Sequence, residues 1–183
     1  MEALGGVGYL ENEDSQHINV ARLYRDCNVL SIWEGTTNVL GTDFVGTLKG
    51  RNGEKTLKVF HSWLIHALFG TIIKSEAGFD SEKRRILGRF ESFSSGIAEK
   101  SREELFVRAR ELMDTFSVIV MGTLMIVDAE RDGDAVSAEM FKRFATTHGF
   151  GGPYECDWAT EIVWDSEIVF GEPTGKVAMI ARL

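Results

Sequence analysis

The chain has 183 residues, 44% of them hydrophobic, enough apolar material for one sizeable core or two small lobes of a soluble globular protein. A formal net charge of -8 works against a nucleic-acid partner, since phosphate neutralisation calls for concentrated Lys and Arg. Two cysteines, Cys27 and Cys156, make no disulfide framework, and a reducing compartment is the default.

The first ten residues, MEALGGVGYL, lack the basic and long apolar regions of a secretory signal. Val39, Leu40, Phe44, Val45 and Leu48 recur at three- and four-residue spacings, so a helix is expected from near Glu34 to Gly50, with a turn at Arg51-Asn52-Gly53. From Glu54 to Lys74 the residues Leu57, Phe60, Trp63, Leu64, Leu68 and Ile72 form one broad apolar face. Gly78 closes that helix, and Asp80 or Ser81 is the expected cap of the next, which carries Ile86, Phe90, Phe93 and Ile97. Ser101-Arg102-Glu103-Glu104 fits a capping box opening one long helix to about Val127, whose apolar run from Phe116 to Val127 is too short to cross a bilayer. Two shorter helices follow, 135–147 and 155–169, separated by a flexible Gly149-Phe150-Gly151-Gly152-Pro153 stretch. No strand alternation or internal repeat is evident, so the expected class is all-α, a helical bundle.

Several patterns resemble sites without completing one. His17, His61, His66 and His148 give no zinc spacing, because His61 and His66, five apart, lie off a common helical face. LGGVGY, residues 4 to 9, lacks the third glycine and the preceding strand of a dinucleotide fingerprint. Residues 128 to 139 come nearer: Asp128, Glu130, Asp132, Asp134 and Glu139 occupy calcium-loop positions 1, 3, 5, 7 and 12, with Gly133 at 6. Glu130 is too long for position 3 and no second loop exists, so the favoured reading is an acidic connection in which Asp132 or Asp134 caps the next helix.

The segment LSIWEGTTNVLG, residues 30 to 41, places Glu34 between a tryptophan and a Gly-Thr-Thr turn. EALGGVGY, RLYRD and IWEGTTN occur in that order within the first forty residues, and together they resemble the C-terminal catalytic part of flavin-dependent acyl-CoA dehydrogenases, nearest the AidB-like branch. The resemblance implies an all-α C-terminal catalytic domain ending near residue 50 and an extra helical region over 54–183. It implies that Glu34 is the base removing the α-proton of an acyl-CoA thioester while a β-hydride passes to FAD, giving a 2-enoyl-CoA. A carboxylate does this only if desolvation raises its pKa and donors stabilise the developing enolate. Read alone, Glu34 is better taken as a first-turn acid complementing a helix dipole, and the flanking motifs reverse that preference.

By the same resemblance Gly5 and Gly6 let a loop approach the ADP half of a flavin held by a neighbouring subunit, implying a dimer or tetramer. Trp33 lies by the flavin and thioester, Gly35 gives the substrate close backbone access, Thr36 supplies a hydroxyl or N–H, and Asn38 sits near the adenine. Glu2 stands where the family carries a glutamine, and Asn38 is a shorter amide than the usual one. Arg25 and Asp26 match a structural ion pair. The domains that cradle the flavin ring in the family have no counterpart here, so the expectation is a piece of a longer parent or a shortened relative. Acyl chain length and electron acceptor are not readable.

A non-catalytic helical interaction module and an AidB-like DNA-associated protein are the alternative readings. The first predicts no flavin binding, and the second needs a basic patch. The C-terminal Ala181-Arg182-Leu183 has the small-basic-Leu form of a peroxisomal address, with mitochondrial import left open.

Overall fold

A computed structural model describes residues 19–30, 36–70 and 78–171. Gly5, Gly6, Trp33, Glu34, Gly35 and Ala181-Arg182-Leu183 lie outside the described residues. In chain order the helices are α1 (Val20–Leu30), α2 (Thr37–Leu48), α3 (Gly53–Phe69), α4 (Asp80–Glu99), α5 (Arg102–Val107), α6 (Ala109–Asp132), α7 (Ala135–Thr147) and α8 (Trp158–Phe170). No strand occurs among the described residues, as the all-α expectation requires.

Helices α2, α3, α4 and α6 each pack on the next to close a four-helix ring, and α7 lies along the far half of α6. Each helix contributes a three- or four-spaced apolar stripe: Val45 and Leu48 from α2, Leu57, Leu64 and Leu68 from α3, Ile86, Phe90, Phe93 and Ile97 from α4, Ile119 and Ile126 from α6. Where the stripes meet, Phe44, Phe60, Phe90, Phe93 and Phe116 interlock, with ring centroids 4.6 to 6.3 Å apart. Gly41 lets α2 approach α6, because a Cβ there would stand 3.2 Å from the Ala109 carbonyl carbon.

Several boundaries differ from the sequence expectation: α3 ends at Phe69 with Gly70 its C-cap, short of Lys74 and Gly78, and α8 starts at Trp158 after its Asp157 cap rather than at 155. Helix α2 starts at Thr37, with Thr36 its extended N-cap, rather than near Glu34. The N-cap of α4 is Phe79, which makes no capping bond: its ring is buried edge-on against Phe141 at 4.9 Å, and the Ser81 hydroxyl donates to Glu82 instead. The long helix after Ser101 is two. The capping box forms as expected, with Ser101 Oγ accepting from Glu104 N at 3.2 Å and Glu104 Oε2 from Ser101 N at 2.8 Å, but the backbone breaks at Arg108. The break turns Leu105 into the core and leaves Val107 exposed.

Helix α6 then continues to Asp132, five residues beyond Val127, and by length and composition alone it could cross a bilayer. In the bundle its Ile119, Thr123 and Ile126 are fully enclosed by other helices. The glycine run 149–153 is not a loose spacer either. Phe150 is completely buried, its carbonyl accepts from Arg85 at 2.8 Å, and the His148 carbonyl accepts from Arg89 at 2.7 Å.

The calcium-loop pattern dissolves into structural roles. Asp128 and Glu130 are helical, Glu130 is buried against Lys83 Nζ at 2.6 Å, and Asp134 caps α7 by accepting from Ser137 N at 2.9 Å. Glu139 is buried between Arg143 and Tyr154. Among the described residues no three His, Cys, Asp or Glu side chains gather around a metal-sized space.

Asp157 caps α8, accepting from Thr160 N at 3.0 Å and Thr160 Oγ1 at 2.5 Å, and these bonds hold its carboxyl below the usual range. A depressed folded-state pKa contributes stability above the unfolded value and loses it as pH falls through the folded one. Lowering the pH from about 5 to below the ordinary Asp value of about 3.9 is therefore expected to fray the first turn of α8. Amide exchange at residues 159–161 checks this: rates unchanged by acid, after correction for intrinsic exchange, contradict it.

Candidate functional site

Of the residues expected to carry chemistry, the structure places Thr36 and Asn38. Both stand at the exposed N-terminal end of α2. Thr36 has φ -65 and ψ 161, its carbonyl accepts from Leu40 N at 3.0 Å, and its side chain makes no capping bond. The Asn38 carbonyl accepts from Thr42 Oγ1 at 2.9 Å, one turn on, and its side chain faces outward. The other half of α2 is fixed by the fully buried Val45, by Leu48 and by the close approach at Gly41.

The result is a helix anchored at one end and open at the other. The first amide N–H groups of a helix have no partner inside it, and they carry the positive end of the dipole. Such an end suits an oxygen bearing negative charge, whether a phosphate or a polarised carbonyl. Thr36 and Asn38 fit a polar edge contact with a nucleotide: a hydroxyl not used for capping, an exposed amide, and open backbone donors beside them. Neither residue lines the groove between α3, α4 and the end of α2.

Upstream, RLYRD lies in α1, which starts with Asn19 Oδ1 accepting from Arg22 N at 2.8 Å. Asp26 stands 3.9 Å from Arg22, one turn earlier, both side chains well exposed. The partner found for Asp26 is thus one helical turn away rather than adjacent in sequence, as the i, i+4 geometry of a helix favours. Leu23, Tyr24 and Leu30 leave apolar surface exposed along α1.

Two features had no sequence signal. Lys83 and Glu130, far apart in the chain, meet inside the bundle. A groove of about 600 Å³ runs between α3, α4 and the end of α2, with Leu48, Leu57, Phe90 and Ile97 as its floor. In it His61 stacks on Phe90, its Nε2 3.8 Å from Glu91 Oε1.

Comparison with known proteins places the N-terminal motifs. The family model of the acyl-CoA dehydrogenase C-terminal domain matches residues 1–45, which bears out the resemblance read from the three motifs. The 3-methylmercaptopropionyl-CoA dehydrogenase of Ruegeria pomeroyi is 31% identical over 93 residues, 51% of this chain and 15% of that protein. The putative acyl-CoA dehydrogenase AidB of Escherichia coli is 28% identical over 107 residues, 58% of this chain and 18% of that protein. The chain thus spans less than a fifth of the length of these relatives. No solved structure matches.

Proposed function

We propose that this chain supplies the C-terminal part of an FAD-dependent acyl-CoA dehydrogenase, with Glu34 as the base that takes the α-proton of the acyl thioester. The observation that carries the reading is the family match over residues 1–45, which contains Glu34, ahead of a helix whose far half is locked into the bundle. FAD, when bound, accepts the β-hydride. Every other part is assigned to side chains and backbone of this chain.

Glu34 receives one proton as the α,β double bond forms. Trp33 and Ile32 are apolar neighbours in sequence, of the kind that shield a carboxylate from water and raise its proton affinity. Gly35 allows the thioester close to the backbone, and Thr36 and the opening N–H groups of α2 offer donors for charge developing on its oxygen. Asn38 contacts the adenine half of the flavin, and Gly5 and Gly6 approach the flavin of a second copy, so the working form is a homo-oligomer. Helices α3, α5 and α6 pack on α2, and Phe93 of α4 reaches its Phe44.

The experiment is a titration of the chain with FAD, followed by flavin fluorescence and thermal stability. A ligand that binds only the folded state raises the melting temperature as its concentration exceeds the Kd. Saturable binding that Gly6→Trp abolishes, with the fold retained, is the expected result. Glu34→Gln should retain that binding while lowering dehydrogenation of acyl-CoA about a hundredfold or more, the usual contribution of a positioned base. A folded chain that binds no FAD supports the interaction-module reading instead.

A further inference from the structure

Helix α8 is attached differently from the rest of the bundle. The common core ends at Phe150, and among the described side chains of α8 only Ser166 is buried. Ile162, Val163, Trp164 and Ile168 are half-buried, while Trp158 and Val169 stand in solvent. The helix packs chiefly on α7, and none of its described residues joins the common core or packs directly against it.

Arg143 is the centre of that contact. From α7 its Nη1 donates to Asp165 Oδ1 on α8 at 2.5 Å, and its Nε donates to Glu139 Oε1 at 3.0 Å. Tyr154, in the segment leading to α8, donates its hydroxyl to the same Glu139 oxygen and lies under the Arg143 guanidinium. Desolvation and the bond to Glu139 hold the Tyr154 phenol above its ordinary value.

The chain is pinned at Gly152, whose carbonyl accepts from Thr146 Oγ1 at 3.0 Å, and again at Tyr154 by its bond to Glu139. A cavity of about 390 Å³ lies under the 151–156 segment, with Phe79 and Phe141 at its base, Glu139 and Tyr154 at its side, and Trp164 closing it from α8.

We propose that α8 is a strap closed by the Arg143–Asp165 latch, which swings open about residues 155–157 and opens the Trp164 side of the Phe79–Phe141 cavity while the bundle stays folded. Three observations converge on this. The helix adds nothing to the core, so bundle and strap lack the shared burial that makes elements unfold together. The latch carboxylate is more than half exposed, and such pairs hold weakly. The bonds that fix the segment 148–154, the last of them from Tyr154 to Glu139, end where the swing begins.

Amide exchange on the intact chain tests the proposal, with acrylamide quenching of tryptophan as the second readout. A helix of 13 residues detached from its packing is marginal in water, so each opening lets α8 unwind, and in the wild type residues 159–170 should exchange at least about tenfold faster than the cores of α4 and α6. Asp165→Asn, a substitution outside the core, should speed α8 exchange by a further two- to fivefold or so, the worth of an exposed pair. It should raise quenching and leave exchange in α4 and α6 unchanged. Arg143→Lys, keeping the charge but not the fork, should fall between. Exchange of α8 at the bundle's own rate overturns the strap, as does Asp165→Asn accelerating α8 and the bundle in parallel. No effect of Asp165→Asn on α8 overturns the latch.

Discussion

Glu130→Ala is expected to lower unfolding stability by about 3–5 kcal/mol, the usual cost of removing one member of a buried ion pair. Glu130 and Lys83 join α6 to α4 through Oε1 and Nζ 2.6 Å apart, and their side chains are 7% and 11% exposed. The cost arises from what remains. An ammonium enclosed among bundle side chains has no compensating carboxylate and little access to water. The double variant Lys83→Met with Glu130→Leu removes both charges while roughly keeping volume, and it should sit within about 1–2 kcal/mol of the wild type or above it. Urea denaturation distinguishes the cases, provided the m-values agree. A cost below about 1 kcal/mol for Glu130→Ala would show that water reaches the pair.

That pair also shows which parts of the fold were legible. Glu130 sits at the third position of a calcium-loop pattern, and spacing alone gives no hint that its partner is Lys83, near the start of α4. Local devices were readable because their physics is local: the Ser101 and Glu104 capping box and the Asp134 cap each involve groups three residues apart. The break at Arg108 was not. Leu105 and Ala109, on opposite sides of it, are four apart in sequence, the spacing that a continuous helix also produces. The glycine run 149–153 misled for a related reason. Glycine marks a turn, while the burial of Phe150 within it depends on Arg85 and Arg89 reaching across from α4.

The candidate site was legible in another way. Glu34, Gly5 and Gly6 were identified by resemblance of short motifs, which the family match over residues 1–45 supports as a stretch. What the structure adds is the support for that stretch. Helix α2 opens at Thr37 and closes inside the same apolar core as α3, α4 and α6, so the segment before it is tied to the bundle two turns later.

The aromatic cluster behind α2 therefore carries the second large expectation. Phe90→Ala should cost about 3–5 kcal/mol, since the ring is 1% exposed and its removal empties the middle of the bundle. Phe90 lies 5.1 Å from Phe60 of α3, 6.3 Å from Phe93 and 5.8 Å from the His61 ring, so the void opens between α3 and α4. Phe93 and Phe116 also hold Phe44 of α2, at 6.3 and 5.3 Å. Loosening should pass to α2 through them, with faster amide exchange at residues 41–48 than global destabilisation alone explains. Trp63→Ala gives the contrast. The residue is 38% exposed, and its truncation should cost far less. Equal costs for the two variants would mean that α3 buries its other face, and the four-helix ring would then be wrong. A large cost for Phe90→Ala with α2 exchange unchanged would show instead that the helix behind Glu34 is held without the aromatic cluster, by Gly41 and Val45 against α6.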